Sequence, residues 1–131
     1  PMTPIEHAIM TRMELNESND CSVLAVALAC RIDYHLSHVA LKMAGRKNRQ
    51  GVFPEHIKKA TEHLGFTLGP VIRPKQANGS KYTPRTIGQQ FPAGRYLAFS
   101  RGHVFALVDG EVRDWHKGRR YHIIKVQEVK E

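Results

Sequence analysis

The chain has 131 residues, of which 41% are hydrophobic and 24% charged, and its formal net charge is +8. This length and composition are typical of one globular domain and exclude a disordered chain, and no apolar run approaches the ~18 residues that a membrane-spanning helix needs. Two cysteines are too few for a disulfide framework, which favours a reducing, cytoplasmic setting.

We expect a single domain over residues 1–131 with no targeting segment. The opening run PMTPIEHAIM has neither a basic start nor a long apolar stretch, so it does not resemble a signal peptide. Pro1 in front of Met2 is expected to be the remnant of a cleaved tag, with Met2 as the natural start.

The first predicted helix begins near Cys21, where Asn19 or Asp20 can cap it. Its sequence, CSVLAVALACRI, is apolar nearly all round, and such a helix is expected to be central and buried. Cys21 stands at the helix start, where the unpaired N–H groups and the helix dipole favour a thiolate and so lower the thiol pKa. A nucleophile and an inert core thiol are both open readings of this position.

Cys30 lies nine residues further along the same helix. Nine residues are about two and a half turns and about 13 Å of rise, so the two thiols cannot form a disulfide within this helix. Cys30 is expected to be a small core residue.

Two more helices are predicted before residue 66. One runs from about Tyr34 to Ala44 and ends at Gly45, with an apolar face of Leu36, Val39, Ala40 and Met43. The other begins at Pro54 and ends at Gly65, with an apolar face of Ile57, Ala60 and Leu64.

Basic residues are concentrated in the middle of the chain. Residues 42–83 contain only two acids, Glu55 and Glu62, beside Lys42, Arg46, Lys47, Arg49, Lys58, Lys59, Arg73, Lys75 and Lys81. A second basic cluster is Lys117, Arg119 and Arg120. The charge is compatible with an ordinary solvated surface or with an acidic partner, either nucleic acid or a protein surface. Within the loop GRKNRQG, which lacks the spacing of a phosphate-binding loop, the candidate partner-binding residues are Arg46, Lys47 and Arg49.

The second half of the chain is rich in predicted strands. Residues 69–85 form a long loop that could act as a lid, and a short helix is expected over residues 86–91. RYLAFS, HVFALVDGEVRDW and YHIIKVQEV are typical of strands, with a hairpin turn at Asp109-Gly110. Helices followed by strands predict an α+β fold in which the buried helix packs on a C-terminal antiparallel sheet.

The hairpin predicts a histidine beside a carboxylate. If Val108 pairs with Glu111, then His103 and Asp114 are diagonal neighbours on one face of the sheet. A carboxylate fixes the tautomer of an imidazole and stabilises the imidazolium, and a thiolate–imidazolium pair is what a cysteine nucleophile needs. His116, which lies opposite His103 in this register, competes with His103 for the role of this histidine.

These motifs resemble the papain-like cysteine peptidase superfamily. The run NDCSVLAVALA, then GRKNRQGVF, then GRYLAFSRGHVFALVDGEVRDW, is similar to small phage-encoded members of it. The resemblance covers roughly residues 16–116. It implies a papain-like fold in which Cys21 is the nucleophile, His103 the general base and acid, and Asp114 the residue that orients His103.

The resemblance also implies an oxyanion hole made by the backbone N–H of Cys21 and a side-chain amide upstream. Many papain-like enzymes use a glutamine there, but no glutamine precedes Cys21 in this chain. The nearest substitute is Asn16, and Asn19 is the runner-up.

Other sites are less well supported by the sequence. His35 and His38 could share a metal, but no further ligand completes a set, so neither a metal nor another cofactor is expected. Trp115 should point away from Asp114 and pack in the core.

Two functions follow from these expectations. The first is a thiol hydrolase that cleaves an amide, peptide or isopeptide bond in a peptide or protein substrate. The alternative is a phage-type binding or inhibitory protein whose basic surface engages a host protein or nucleic acid. Neither function involves a membrane.

Overall fold

The computed structural model describes residues 1–115 and 120–131, so the expectations for His116, Lys117 and Arg119 fall outside the described residues. The predicted α+β fold is confirmed. The helices are α1 (Pro4–Glu14), α2 (Cys21–Cys30), α3 (Tyr34–Met43), α4 (Pro54–His63) and α5 (Ile87–Gln90). The strands are β1 (Thr67–Leu68), β2 (Arg95–Ser100), β3 (His103–Val108), β4 (Glu111–Arg113) and β5 (Ile123–Lys130). They form one antiparallel sheet in the order β1-β5-β2-β3-β4.

Helix α2 is the centre of the molecule, as predicted. Every residue from Ser22 to Cys30 is buried, and the helix packs mainly against β3. Burial raises the pKa of the Cys30 thiol to about 12, so this cysteine behaves as a small apolar core residue.

Side chains alternate between the two faces of each strand, and the central strands β2 and β3 carry buried residues on both faces. Residues such as Leu97, Val104 and Ala106 belong to the core on the α2 side. Their neighbours Phe105 and Leu107 belong to a second core that includes Ile87 of α5. The continuous apolar runs of β2 and β3 therefore reflect a central position in the sheet.

The β3–β4 hairpin has the predicted register. Val108 pairs with Glu111, and the turn residues Asp109 and Gly110 both have positive φ, of 50° and 81°. The turn is pressed against α5, since a side chain at Gly88 would collide with the carbonyl oxygen of Gly110.

Helix α1 was not predicted. It begins with a capping box, in which the Thr3 hydroxyl accepts from the Glu6 N–H and the Glu6 carboxylate accepts from the Thr3 N–H. Pro4 occupies the first turn, where it costs no hydrogen bond. The short strand β1, which pairs with the end of β5, was also missed.

The apolar face predicted for α3 was wrong. Leu36, Val39 and Met43 are exposed, and of that set only Ala40 is buried. The helix instead turns polar groups inward, because each finds a partner there. The Ser37 hydroxyl donates to the Val23 carbonyl at 2.7 Å, for example.

The stretch predicted as a long loop is tied to the sheet. Ile72 and Val126 exchange two main-chain hydrogen bonds of 2.9 and 2.8 Å, and the chain then doubles back where Lys75 bridges to Lys81.

In the described part of the chain, no helix on its own has the length and hydropathy needed to cross a membrane. Helices α2 and α3 meet that test only when taken together, and they are bent by 117° at the break between them.

Candidate active site

Cys21 is the first residue of α2, and the acid in front of it leaves the helix N-terminus open. Asp20 stands at the N-cap position, but its side chain makes no capping hydrogen bond, so the predicted capping role is wrong. The first N–H groups of a helix have no partner within the helix. The N–H groups of the first turn, which include that of Cys21, therefore receive no hydrogen bond from the Asp20 side chain.

The carboxylate of Asp20 contacts residues of α1 and α3. The Tyr34 hydroxyl donates to Oδ2 at 2.7 Å, and Nε of Arg12 lies 3.0 Å from the same oxygen. Burial and the hydrogen bond to Asp20 raise the pKa of Tyr34, so its hydroxyl stays protonated as a donor. The Asp20 carboxylate is thus engaged by a hydrogen bond and an ion pair in place of the helix end.

His103 and Asp114 are brought together as the hairpin register predicted. Nε2 of His103 lies 2.6 Å from Oδ2 of Asp114, whose side chain is only 5% exposed. The other oxygen of Asp114 accepts the Trp115 N–H at 2.8 Å. Both carboxylate oxygens are therefore engaged, which fixes the orientation of the acid towards the imidazole.

Cys21 lines the same cleft as His103, and its proximity is one of the causes that shift the pKa of the imidazole. Asp114 engages Nε2, so Nδ1 is the ring nitrogen on the other side of the imidazole. Burial by itself lowers the pKa of His103, but the hydrogen bond with Asp114 and the proximity of Cys21 outweigh it and raise the pKa to about 9. The imidazolium therefore persists through neutral pH.

Tyr121, which the sequence did not single out, covers the histidine. Its ring stacks on that of His103 with centroids 4.5 Å apart and planes 19° from parallel. The ring of Phe105 lies 5.9 Å from His103. These rings pack against the imidazole and help to leave its side chain only 15% exposed.

A cleft opens in front of Cys21 and His103, with a volume of about 150 Å³. Its walls are formed by the loop before α4, by α4 itself and by the turn between β2 and β3. The lining residues other than Cys21 and His103 are Ser22, Gly51, Val52, Pro54, Ile57, Phe99, Ser100, Gly102 and Val104. This volume suits a single side chain better than a drug-sized ligand. None of residues 69–85, the predicted lid, lines it.

The two asparagines proposed as oxyanion donors do not face the cleft. Asn19 donates its side-chain amide to the Arg49 carbonyl at 3.1 Å, and neither Asn19 nor Asn16 is among the lining residues. Both have positive φ, of 47° and 52°, in the loop that leads to Cys21. Their role is in the turn of that loop, so the predicted side-chain donor is wrong in this structure.

A buried ion pair fixes the loop that carries part of the cleft wall. Glu17, with a side chain that is fully buried, accepts two hydrogen bonds from Arg46 at 2.9 and 3.0 Å and contacts His38 at 2.6 Å. It also accepts the Arg49 N–H at 2.8 Å. Burial alone raises the pKa of Glu17, but the hydrogen bonds from Arg46 and His38 lower it to about 2.

Arg46 is consequently not available to an external partner. It is 4% exposed, and the expectation that it contributes to a partner-binding surface is corrected. Lys47 and Arg49 are exposed, as such a surface requires. Sequence reasoning missed Glu17, whose pairing partner is 29 residues away.

His35, His38 and Trp115 do not line the cleft, whereas Gly102 does. His38 is buried against Glu17 while His35 is exposed, and no group of three or more potential metal ligands occurs among residues 1–115 and 120–131. Trp115 packs against the α2-side core and lies 6.4 Å from the ring of Tyr34. Gly102 has a φ of 74°, so the turn between β2 and β3 itself favours glycine there.

Comparisons of this chain with protein-family models, with curated protein sequences and with solved structures found no match.

Proposed function

We propose that this protein is a thiol hydrolase that cleaves an amide, peptide or isopeptide bond through Cys21, His103 and Asp114. The observation that carries the proposal is that His103 lies 2.6 Å from an engaged carboxylate and lines one cleft together with a thiol at the open end of a helix. That cleft, which Cys21 and His103 line, can receive a side chain. A papain-like arrangement of the α+β fold, with the central helix carrying the nucleophile, belongs to the same proposal.

In the first half of the reaction, the sulfur of Cys21 attacks the carbonyl carbon of the substrate. A C–S bond forms, and the π-electron pair of the carbonyl moves onto oxygen. When this oxyanion collapses, the C–N bond breaks and the His103 imidazolium donates its proton to the leaving amine. The product is a thioester on Cys21 and a free amine.

In the second half, neutral His103 takes a proton from water as that water attacks the thioester carbon. Collapse of the second oxyanion breaks the C–S bond, releases the carboxylic acid and restores the thiolate–imidazolium pair. Asp114 keeps its contact with the imidazole throughout and stabilises the imidazolium. The net reaction consumes one amide and one water.

The first test is the alkylation of Cys21 by iodoacetamide, measured by peptide mass spectrometry against pH. We expect Cys21 to react well below pH 8.5, and we expect His103→Ala to remove that reactivity. A Cys21 that stays inert to pH 8, or that reacts equally in the variant, would overturn the proposal. A positive result justifies screening amide and isopeptide substrates, with Cys21→Ala as the inactive control. A reducing cytoplasm, that of the host if the protein is phage-encoded, suits this free thiol.

A binding function is the second candidate, favoured by the exposure of Lys47 and Arg49. In that case the double variant Lys47→Glu, Arg49→Glu would abolish binding to a host protein or nucleic acid, whereas Cys21→Ala would leave it intact. Binding to nucleic acid would also weaken steeply with salt.

A further inference from the structure

We infer that Ser22 is a catalytic residue whose hydroxyl hydrogen-bonds to the oxyanion formed during attack by Cys21. The inference rests on the proposed function, since it assigns a donor to that same reaction. It supplies the side-chain donor that Asn16 and Asn19 do not provide.

The first observation concerns the hydroxyl itself. Ser22 is 1% exposed, and its Oγ finds no hydrogen-bond partner within the described residues. Buried hydroxyls nearly always have a partner, because an unpaired one loses its hydrogen bonds to water without replacement. Ser22 is the second residue of α2, so no preceding helical turn offers its hydroxyl a carbonyl.

The second observation is the position of this residue. Ser22 directly follows Cys21 and lines the same cleft as Cys21 and His103. Because a serine hydroxyl rotates about a single bond between staggered positions, an oxygen that enters the cleft can draw it into a hydrogen bond. An unpaired hydroxyl therefore belongs to the residue that follows the nucleophile, on the wall of the cleft that both residues line.

The third observation is the pair of N–H groups at the same helix end. Those of Cys21 and Ser22 belong to the first turn of α2, and the Asp20 side chain does not cap them. Backbone N–H groups together with a hydroxyl form a donor set of the kind that stabilises oxyanions in acyl transfer. The apolar residues Val52, Ile57 and Val104 on the cleft walls would keep competing water away from that set.

Ser37 is a matched control, because it is a buried helical serine whose hydroxyl has a hydrogen-bond partner. Ser37 of α3 is fully buried, and its hydroxyl donates to the Val23 carbonyl at 2.7 Å. It does not line the cleft. Its removal should destabilise the fold without touching the chemistry, whereas removal of Ser22 should do the reverse.

The experiment compares two reactions of Cys21 that differ in whether an oxyanion forms. p-Nitrophenyl acetate acylates the thiol through a tetrahedral oxyanion, whereas iodoacetamide alkylates it by displacement at an sp³ carbon. We would measure both second-order rate constants for Cys21 by peptide mass spectrometry in the wild type, Ser22→Ala, Ser37→Ala and His103→Ala. Thermal unfolding of each variant would be measured alongside.

For Ser22→Ala we expect acylation to fall about 100-fold while alkylation and Tm stay close to wild type. For Ser37→Ala we expect a lower Tm and an unchanged ratio of the two rate constants. Ser22→Thr, which keeps the hydroxyl, should recover part of the lost acylation.

The failures of the inference and of the proposed function are distinguishable. If acylation of wild-type Cys21 depends on His103 but the rate ratio in Ser22→Ala equals that of the wild type, the inference alone is wrong. If neither reaction of wild-type Cys21 depends on His103, the proposed function is wrong and the inference is wrong with it.

Discussion

The guanidinium carbon of Arg12 lies 4.7 Å from the centre of the Trp115 ring. The same arginine places Nε 3.0 Å from the carboxylate of Asp20. Asp20 directly precedes Cys21, and Trp115 directly follows Asp114. One side chain of α1 therefore joins the helix that carries the thiol to the end of the hairpin that carries the acid.

This contact predicts the effect of Arg12→Met on stability. The substitution leaves the carboxylate of Asp20 buried with only the Tyr34 hydroxyl as a partner, because the ion pair is lost. We expect the free energy of unfolding to fall by about 2 kcal/mol, less than for a fully buried pair since Arg12 is one-third exposed. Urea denaturation measures it, with Arg85→Met at an exposed site as the control.

A double-mutant cycle with Asp20→Asn tests whether the loss comes from the ion pair. Arg12→Met should cost clearly less in the Asp20→Asn background. Equal losses in both backgrounds would assign the effect to the stacking of Arg12 on Trp115 instead.

The pKa of His103 predicts how stability depends on pH. A histidine whose pKa rises from 6.5 to about 9 on folding stabilises the native state most below pH 6.5, and it loses that contribution as pH rises to 9. The shift corresponds to roughly 3 kcal/mol at most. Asp114→Asn should therefore destabilise the protein strongly at pH 6 and much less at pH 9.5.

Urea denaturation of wild type and Asp114→Asn across this pH range provides the measurement, and NMR titration of the His103 ring gives its pKa directly. A stability difference that stays the same from pH 6 to pH 9.5 would contradict the prediction.

Glu17 has the opposite pH dependence. Its pKa falls from 4.5 to about 2 on folding, so its contribution is complete above pH 4.5 and is lost as pH falls towards 2. Glu17→Gln leaves Arg46 buried without its counter-charge, and we expect a loss of about 3 kcal/mol near neutral pH. Acid unfolding monitored by circular dichroism should show a smaller difference between wild type and variant near pH 2.

Glu17→Gln should also loosen the part of the cleft wall that Gly51 and Val52 form. These two residues line the cleft and follow the segment that Glu17 holds through Arg46 and the Arg49 N–H. Faster hydrogen exchange in residues 45–52 of Glu17→Gln is the expected result. Unchanged exchange there would mean that the loop is held by other contacts.

Gly51→Val should narrow the cleft without disturbing the fold. Gly51 does not have a positive φ, and a Cβ at this position would meet nothing within 4 Å. We therefore expect Tm to change little. Labelling of Cys21 by a peptide chloromethyl ketone with a leucine side chain should slow at least tenfold, whereas labelling by iodoacetamide should stay within about twofold.

Ala77→Val, in an exposed loop that does not line the cleft, is the matched control. Equal slowing of both reagents in Gly51→Val would show a general loss of thiol reactivity and count against a cleft that selects substrates.

The sequence predicted those parts of the molecule that depend on local patterns. The apolar run of α2 and the Asp109-Gly110 turn were sufficient to place Cys21 and to bring His103 beside Asp114. Asp114 lies one residue beyond the end of β4, and the alternation of side chains still predicted its face correctly.

Contacts between polar groups far apart in the chain could not be predicted. The inward face of α3 is decided by partners such as Glu17 for His38, and apolar periodicity contains no information about them. Asp20 pairs with Arg12 and does not cap α2, and Glu17 pairs with Arg46 in the loop that contains Asn16 and Asn19. The roles of Asp20 and of the two asparagines therefore depend on distant residues that a local pattern does not identify. The capping box of α1, by contrast, is a local pattern, T-P-I-E, from which the start of this helix is predictable.

The contact between Gly88 and the turn at Gly110 decides where this protein can be engineered. Tips of hairpins commonly accept inserted residues, but the β3–β4 tip is pressed against α5, and any insertion there would push apart two backbones. The exposed tip at Asn78-Gly79, where a side chain on the glycine would meet nothing within 4 Å, is open on its outer side. A fluorophore or an affinity tag for recording reactions of Cys21 is therefore best attached at that tip.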